Sequence, residues 1–219
     1  MTNHTTPSQE TAEAPARRYT GKRLAIMEAA RHAFGRVGYV QASIETIAAD
    51  AGVSTRTIYN HFDNKEQLFS AVLLESSTEV AKAREILIDR HLGVITDLEV
   101  DLTNLAREWI RPRAEFADHF AIVRRLRAES ERFPEDLRQA WRTAGRDRAR
   151  HALATRFADL SRTGVLVVAD HQNAANHFIA LIASTTIDDS YYSAMELEED
   201  IDAVASSGVH TFLHGYLPR

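Results

Sequence analysis

The chain has 219 residues, a net charge of −5, and a composition that is 44% hydrophobic and 26% charged, which fits a soluble globular protein and excludes wholesale disorder. It contains no cysteine, excluding disulfides and thiolate metal sites and fitting a reducing cytoplasm. No apolar run approaches the roughly eighteen residues of a membrane helix; the longest stretches are Val165 to Ala169 and Phe178 to Ala183.

Residues 1–16, rich in Thr, Ser, Glu and Pro, read as a disordered tail without the apolar stretch of a signal peptide. Beyond them charge is unevenly spread. Between Ala16 and Lys65 eight basic residues face four acidic ones, a local balance of +4, which leaves −9 for the rest. A basic head on an acidic body suits a nucleic-acid reader whose docking face alone meets phosphate.

Helical periodicity runs through almost every segment after Tyr19, so the fold is expected to be all-α. Thr20 can cap a first helix to about Val37, with Leu24, Met27, Ala30, Phe34 and Val37 on its apolar stripe and Gly38 as its stop. Ser43 caps a short second helix through Ala51, buried by Ile44, Ile47, Ala48 and Ala51 and ended by Gly52. Ser54 caps a third, where Val53 and Ile58 occupy hydrophobic-staple positions. Burying Ile58 and Phe62 forces Thr55, Arg56, Tyr59 and Asn60 outward.

Asn64 caps a fourth helix with Gln67 at the capping-box position; it runs from Lys65 to Ile88 on Phe69, Val72, Leu73, Val80 and Leu87. Five more helices are expected: Thr96 to Ile110, Arg113 to Arg132, Pro134 to Arg162, Asp170 to Ser190 and Leu197 to Leu217. The domain boundary falls within the fourth helix. Residues 17–74 are expected to form a three-helix domain, and 75–219 a larger helical domain.

Two short helices joined by a glycine turn, the second with an unburied polar face, form a helix-turn-helix whose second helix enters the major groove. Thr55, Arg56, Thr57, Tyr59 and Asn60 offer hydrogen bonds there, Ser43 and Ser54 sit at the two helix starts, and His61 and Lys65 are placed for phosphates. Taken singly, Tyr59 could cover apolar surface and His61 could be a surface or capping histidine.

The run from Ile44 to Phe62, with Ala51-Gly52-Val53-Ser54 and Tyr59-Asn60-His61-Phe62, followed by Lys65-Glu66-Gln67-Leu68, resembles the DNA-binding segment of TetR-family regulators. The resemblance spans about Arg23 to Val72. It implies that Tyr59, His61 and Lys65 touch the DNA backbone while Thr55, Arg56, Thr57 and Asn60 face bases or nearby phosphates. The remainder resembles the family in helix count, in length and in the stretch Ala128 to Pro134, which occurs in some of its subgroups. The implied protein is a cytoplasmic homodimeric repressor that binds a palindromic operator in double-stranded DNA and is released by a small apolar or aromatic effector.

Asn104, Trp109, Phe116, His119, Phe120, Trp141 and His177 are candidates for lining an effector cavity, although aromatic stripes of this kind also serve as plain core. Phe178, Ile179 and Ile182 on one helix and Ile201, Val204, Ala205, Phe212 and Tyr216 on another exceed what a bundle edge needs. They point to a four-helix dimer interface near residues 170–190 and 197–217. His210 and His214 lie one turn apart without a third ligand, and Glu-x-x-His never occurs, so no metal is expected. No nucleophile elbow, phosphate loop or dinucleotide fingerprint occurs either, so neither an enzyme nor a cofactor is expected.

Overall fold

The computed structural model describes residues 13–128, 133–189 and 197–218, with side chains over 21–126, 133–182 and 201–218. Residues 1–12 of the expected tail and 129–132 of the stretch Ala128 to Pro134 lie outside them. The described residues are helical and contain no strand: α1 (Glu13–Gln41), α2 (Ile44–Asp50), α3 (Thr55–Tyr59), α4 (Lys65–Leu92), α5 (Leu98–Ile110), a turn of 3-10 helix (Ala114–Phe116), α6 (Ala117–Ala128), α7 (Glu135–Arg142), α8 (Arg148–Arg162), α9 (His171–Asp189) and α10 (Leu197–Tyr216). Helix contacts divide the chain into two compact units, Met1–Leu73 with Ala117–Phe133, and Leu74–Phe116 with Pro134–Arg219.

In the first unit, α1 starts at Glu13 and runs through Thr20, so residues 13–16, expected in the tail, are helical. Alanines favour this, and Pro15 is tolerated because a first-turn amide has no intrahelical acceptor. Gly38 (φ 81°, ψ 171°) is non-helical and breaks the Glu13–Gln41 span into two helices across a kink, so the first helix stops where the sequence places its stop; a Cβ there would be strained and would stand 3.3 Å from Arg125 Cδ. The buried face of α1 is centred on Ile26, Met27, Ala30, Ala33 and Phe34, whereas Leu24, assigned to the stripe, is 55% exposed. A face through Ile26 and Ala30 turns position 24 outward.

Helix α6 belongs to this unit, although it lies in the sequence expected for the second domain. Gly35 admits it, since a Cβ there would stand 3.0 Å from Asp118 Oδ1, and Arg125 Nη2 donates to the Arg36 carbonyl at 2.9 Å beside the kink. Phe69 meets Phe34 edge to face at 5.1 Å and stacks on Phe133 at 5.3 Å.

The second unit is built from α5, α7, α8, α9, α10 and most of α4. Its centre is a triad of fully buried rings, Phe157, Phe178 and Phe212, one from each of α8, α9 and α10. α9 and α10 approach closely at Gly208, where a Cβ would meet the Leu181 carbonyl oxygen at 2.8 Å. The expected Pro134 to Arg162 helix is interrupted by a π-helical turn, Thr143–Asp147, with Gly145 set against Ser77; a Cβ at 145 would stand 3.1 Å from the Ser77 Cβ. Arg156 Nη2 donates to the carbonyl of Leu92, the last residue of α4, and to that of Gly93 just after it.

This packing corrects the reading of the dimer residues. Phe178, Ile182, Ile201, Ala205 and Phe212 are all buried within a single chain. Their apolar surface is used by α8, α9 and α10 against one another, and only Ile179, Val204 and Tyr216 of the predicted set remain partly exposed.

Candidate nucleic-acid interface

Short-range hydrogen bonds hold the two short helices. Thr46 N–H donates to Ser43 Oγ at 3.1 Å and Thr57 N–H to Ser54 Oγ at 3.2 Å, so each serine caps its helix. Between them Gly52 (φ 63°) takes the left-handed conformation; its N–H donates to the Ala49 carbonyl at 3.1 Å and the Val53 N–H to the Ala48 carbonyl at 2.9 Å. This Schellman closure ends α2 and sends the chain directly into α3. Asn64 Oδ1 then accepts the Gln67 N–H at 2.8 Å, while Gln67 Oε1 accepts the Asp63 N–H at 2.6 Å, one residue before the capping-box position.

Ile58 and Phe62 are buried, so α3 turns its other face to solvent. Arg56, Tyr59 and Asn60 are exposed, Tyr59 at 52%, while Thr55, Thr57 and His61 are half-buried. The hydroxyls of Ser54 and Thr57 lie 2.9 Å apart and those of Ser43 and Thr46 likewise, so these serines serve the helix ends first. The outward chemistry is one guanidinium, one phenol and one carboxamide, a set able to donate and accept along the floor of a groove about 12 Å wide.

A cationic margin borders this face. His61 is held below its usual range by burial first, then by Arg23 and Lys22. Neither Arg23 nor Lys22 stood among the candidate residues; their signal was the basic run from Arg17 to Arg23, whose place beside His61 depends on the packing of α1. The Arg23 guanidinium also lies 5.4 Å from the Phe62 ring centroid. Lys65 Nζ donates to the Val40 carbonyl at 3.2 Å and sits 4.8 Å from the Tyr39 ring centroid, and burial lowers its pKa. It therefore ties the start of α4 to the end of α1 and keeps further N–H donors for a phosphate.

The predicted effector residues are divided. His119 and Phe120, with ring centroids 5.2 Å apart, belong to the first unit. The small cavity described in that unit, lined by Phe34, Tyr39, Phe69, Arg125 and Phe133, measures about 10 Å³, room for one water. Asn104, Trp109, Phe116, Trp141 and His177 belong to the second. There Asn104 Oδ1 accepts from Arg107 Nη1 at 3.2 Å, Trp109 lies in the core beneath the Arg84 guanidinium, and the His177 ring pairs with the Tyr216 hydroxyl at 2.7 Å. Phe116 and Trp141 are half-buried. Among the described residues no helix is long and apolar enough to cross a membrane.

Residues 26–72 match the pattern of bacterial regulatory proteins of the tetR family, and residues 102–218 match the C-terminal domain of AefR-like transcriptional repressors. The HTH-type transcriptional repressor AcnR of Corynebacterium glutamicum is 29% identical over 114 residues, which cover 48% of this chain and 61% of that protein. The chain spans about half to three-fifths of the length of the first curated relatives it matches. A solved TetR-family transcriptional regulator from Mesorhizobium loti superposes with a TM-score of 0.83 at 29% identity, covering 92% of this chain and 99% of that one. The flavonoid-responsive regulator FrrA superposes with a TM-score of 0.63 at 27% identity, covering 90% and 98%. With its helix-turn-helix matched by one pattern and more than half of its length by the other, the chain belongs to the TetR family of DNA-binding transcription regulators.

Proposed function

We propose that this regulator is a cytoplasmic repressor that binds a palindromic operator as a homodimer and is released by a small apolar or aromatic effector held in the second unit. The observation that carries the DNA half of this reading is the exposed Arg56, Tyr59 and Asn60 face on a helix whose entry is set by the Ser54 cap and the Gly52 turn. Arg56 and Asn60 read base edges; Thr55 and Thr57 lie beside them; Tyr59, His61, Lys65 and the helix starts at Ser43 and Ser54 meet the backbone. One such helix contacts too few base pairs to define a site, so two copies are required.

The dimer uses α9 and α10 through their outward faces. Ala203, Ser206, Ser207 and Thr211 are exposed on α10, small and uncharged, which suits close approach of a second copy. The effector half is supported by the likeness to the flavonoid-responsive FrrA and by α4, one uninterrupted helix that contributes residues to both units. An effector that prefers one arrangement of the second unit shifts the population of DNA-competent dimers by its differential affinity for the two states.

Selection of bound sequences from random DNA tests this directly. A palindrome with half-sites one helical turn or a multiple of it apart is expected. Enrichment of a single unrepeated site, or of none, would refute the dimeric reading.

A further inference from the structure

Several cations of the second unit stand beside carboxylates. Arg148 grips Glu85 through two bonds of 2.6 and 2.8 Å, Arg90 and His91 share Glu108 at 3.0 and 2.8 Å, and Arg107 Nε lies 2.7 Å from Asp202. Arg84, one residue before Glu85 on α4, departs from this pattern. Among the described residues it has no carboxylate and no hydrogen-bond acceptor; its guanidinium carbon lies 4.6 Å from the ring centroid of Trp109 on α5. Around it α4 buries Ala81, Leu87 and Ile88, and Trp109 is itself 8% exposed. Loss of water alone pulls the guanidinium pKa down to about 10.

A guanidinium offers five N–H donors in a fork, and a ring face satisfies none of them with an acceptor. Leaving such a group beside an apolar core costs stability, and a hydrophobic residue of similar size would avoid that cost. Arg84 is nevertheless only partly buried as a residue, and its nitrogens are not among the fully enclosed polar atoms, so they can be reached from outside. A guanidinium fork set on an aromatic floor, largely desolvated and without an acceptor, is suited to a planar anion.

We infer that the second unit recognises its ligand through a carboxylate: Arg84, held over Trp109, is the anchor for the carboxylate of a small aromatic or aliphatic acid. The inference rests on the effector reading above and names the chemical class of that effector. Bidentate pairing with a carboxylate supplies the acceptors that Arg84 lacks, and its desolvated setting favours the weakly hydrated carboxylate of an organic acid over strongly hydrated inorganic phosphate.

The test uses the full chain with both of its tryptophans, and a Trp109→Phe variant identifies the part of the emission that comes from Trp109. Naphthoate, cinnamate and decanoate are each titrated against the corresponding alcohol and against inorganic phosphate while Trp109 emission is followed. At least one carboxylate is expected to bind saturably, about tenfold or more tighter than its alcohol and tighter than phosphate, from the value of a charge-assisted hydrogen bond. Arg84→Met should remove that preference while leaving the melting temperature equal or higher, and Arg84→Lys should keep part of it. A plain structural role predicts the reverse, a lower melting temperature for Arg84→Met and no carboxylate preference to lose. Equal affinity for acid and alcohol, phosphate binding as tight as that of the acids, a preference that survives Arg84→Met, or no saturable response to any of the three acids would overturn the inference.

Operator retention in a gel separates the two readings. An acid that binds through Arg84 without releasing DNA refutes effector control and leaves the carboxylate site standing. An effector that releases DNA equally from the Arg84→Met variant overturns the carboxylate site and leaves effector control intact.

Discussion

Phe212 stacks on Phe157 with ring centroids 5.2 Å apart and planes inclined by 28°, and Phe178 closes edge to face on both. The pairing commits Phe212 to the interior of its own chain. Phe212→Ala is expected to lower unfolding free energy by about 3 to 5 kcal/mol, through lost transfer energy and the cavity left among the rings. Urea titration followed by circular dichroism measures it, and a loss below about 1 kcal/mol would contradict the packing. Phe212→Glu should unfold the unit instead of yielding a folded monomer. Ser207→Arg, on the exposed side of α10, should keep its helical content and dissociate the proposed dimer in sedimentation.

Ser54 is expected to act on both stability and DNA binding. Ser54→Ala removes the acceptor of the Thr57 N–H and should cost about 1 kcal/mol, whereas Ser54→Thr should restore most of it. Because the cap sets the start of α3, operator affinity should fall more than stability does; equal affinity for Ser54→Ala and the parent chain would show that the cap does not position the helix.

Lys65→Ala should show a double effect. Losing the donor to the Val40 carbonyl should cost about 1 kcal/mol of stability, and losing a phosphate contact should weaken binding to all DNA sequences alike. The logarithmic salt slope of affinity should drop by about one unit per half-site. An unchanged slope beside reduced stability would assign Lys65 to the fold alone.

Arg56→Ala and Asn60→Ala should each relax preference at particular base pairs, by about 1 to 3 kcal/mol per half-site. Repeating the DNA selection with each variant reads this out. If both retain the parent preference, discrimination comes from the Arg17 to Arg23 segment or from DNA shape.

His61 carries a pH signature whose sign follows from its lowered pKa. In the folded chain it resists protonation, so its contribution to stability is full above its ordinary value of 6.5 and declines as pH falls through 6.5 toward the lowered folded value. Binding has the opposite sign, because a nearby phosphate favours the imidazolium and proton uptake accompanies docking in that window. Operator affinity at constant salt should therefore rise as pH drops below 6.5, and His61→Gln should flatten that rise. A pH profile identical in both proteins would remove His61 from the interface.

Much of the first unit was legible in the residues themselves because its signals are local. A serine and the amide three positions on, a glycine at positive φ, and Ile58 and Phe62 four apart act within one or two turns, so Ser43, Gly52, Ser54 and Asn64 punctuate the chain where the sequence predicts. Helical periodicity likewise predicted all-α structure, though not where each helix starts: α1 begins at Glu13 because the alanines around Pro15 favour helix despite the polar residues near them.

What periodicity cannot say is which partner covers an apolar face. Phe178, Ile201 and Phe212 carry the same pattern whether a neighbouring helix or a second chain buries them, and only packing through Gly208 decides for the interior. The same limit hid the place of α6 against Gly35 and Gly38, and the contrast between Glu85, gripped by Arg148, and Arg84, left over an indole ring. Pairing a charge requires a residue distant in sequence to arrive within about 4 Å, and that distance is set by the tertiary fold.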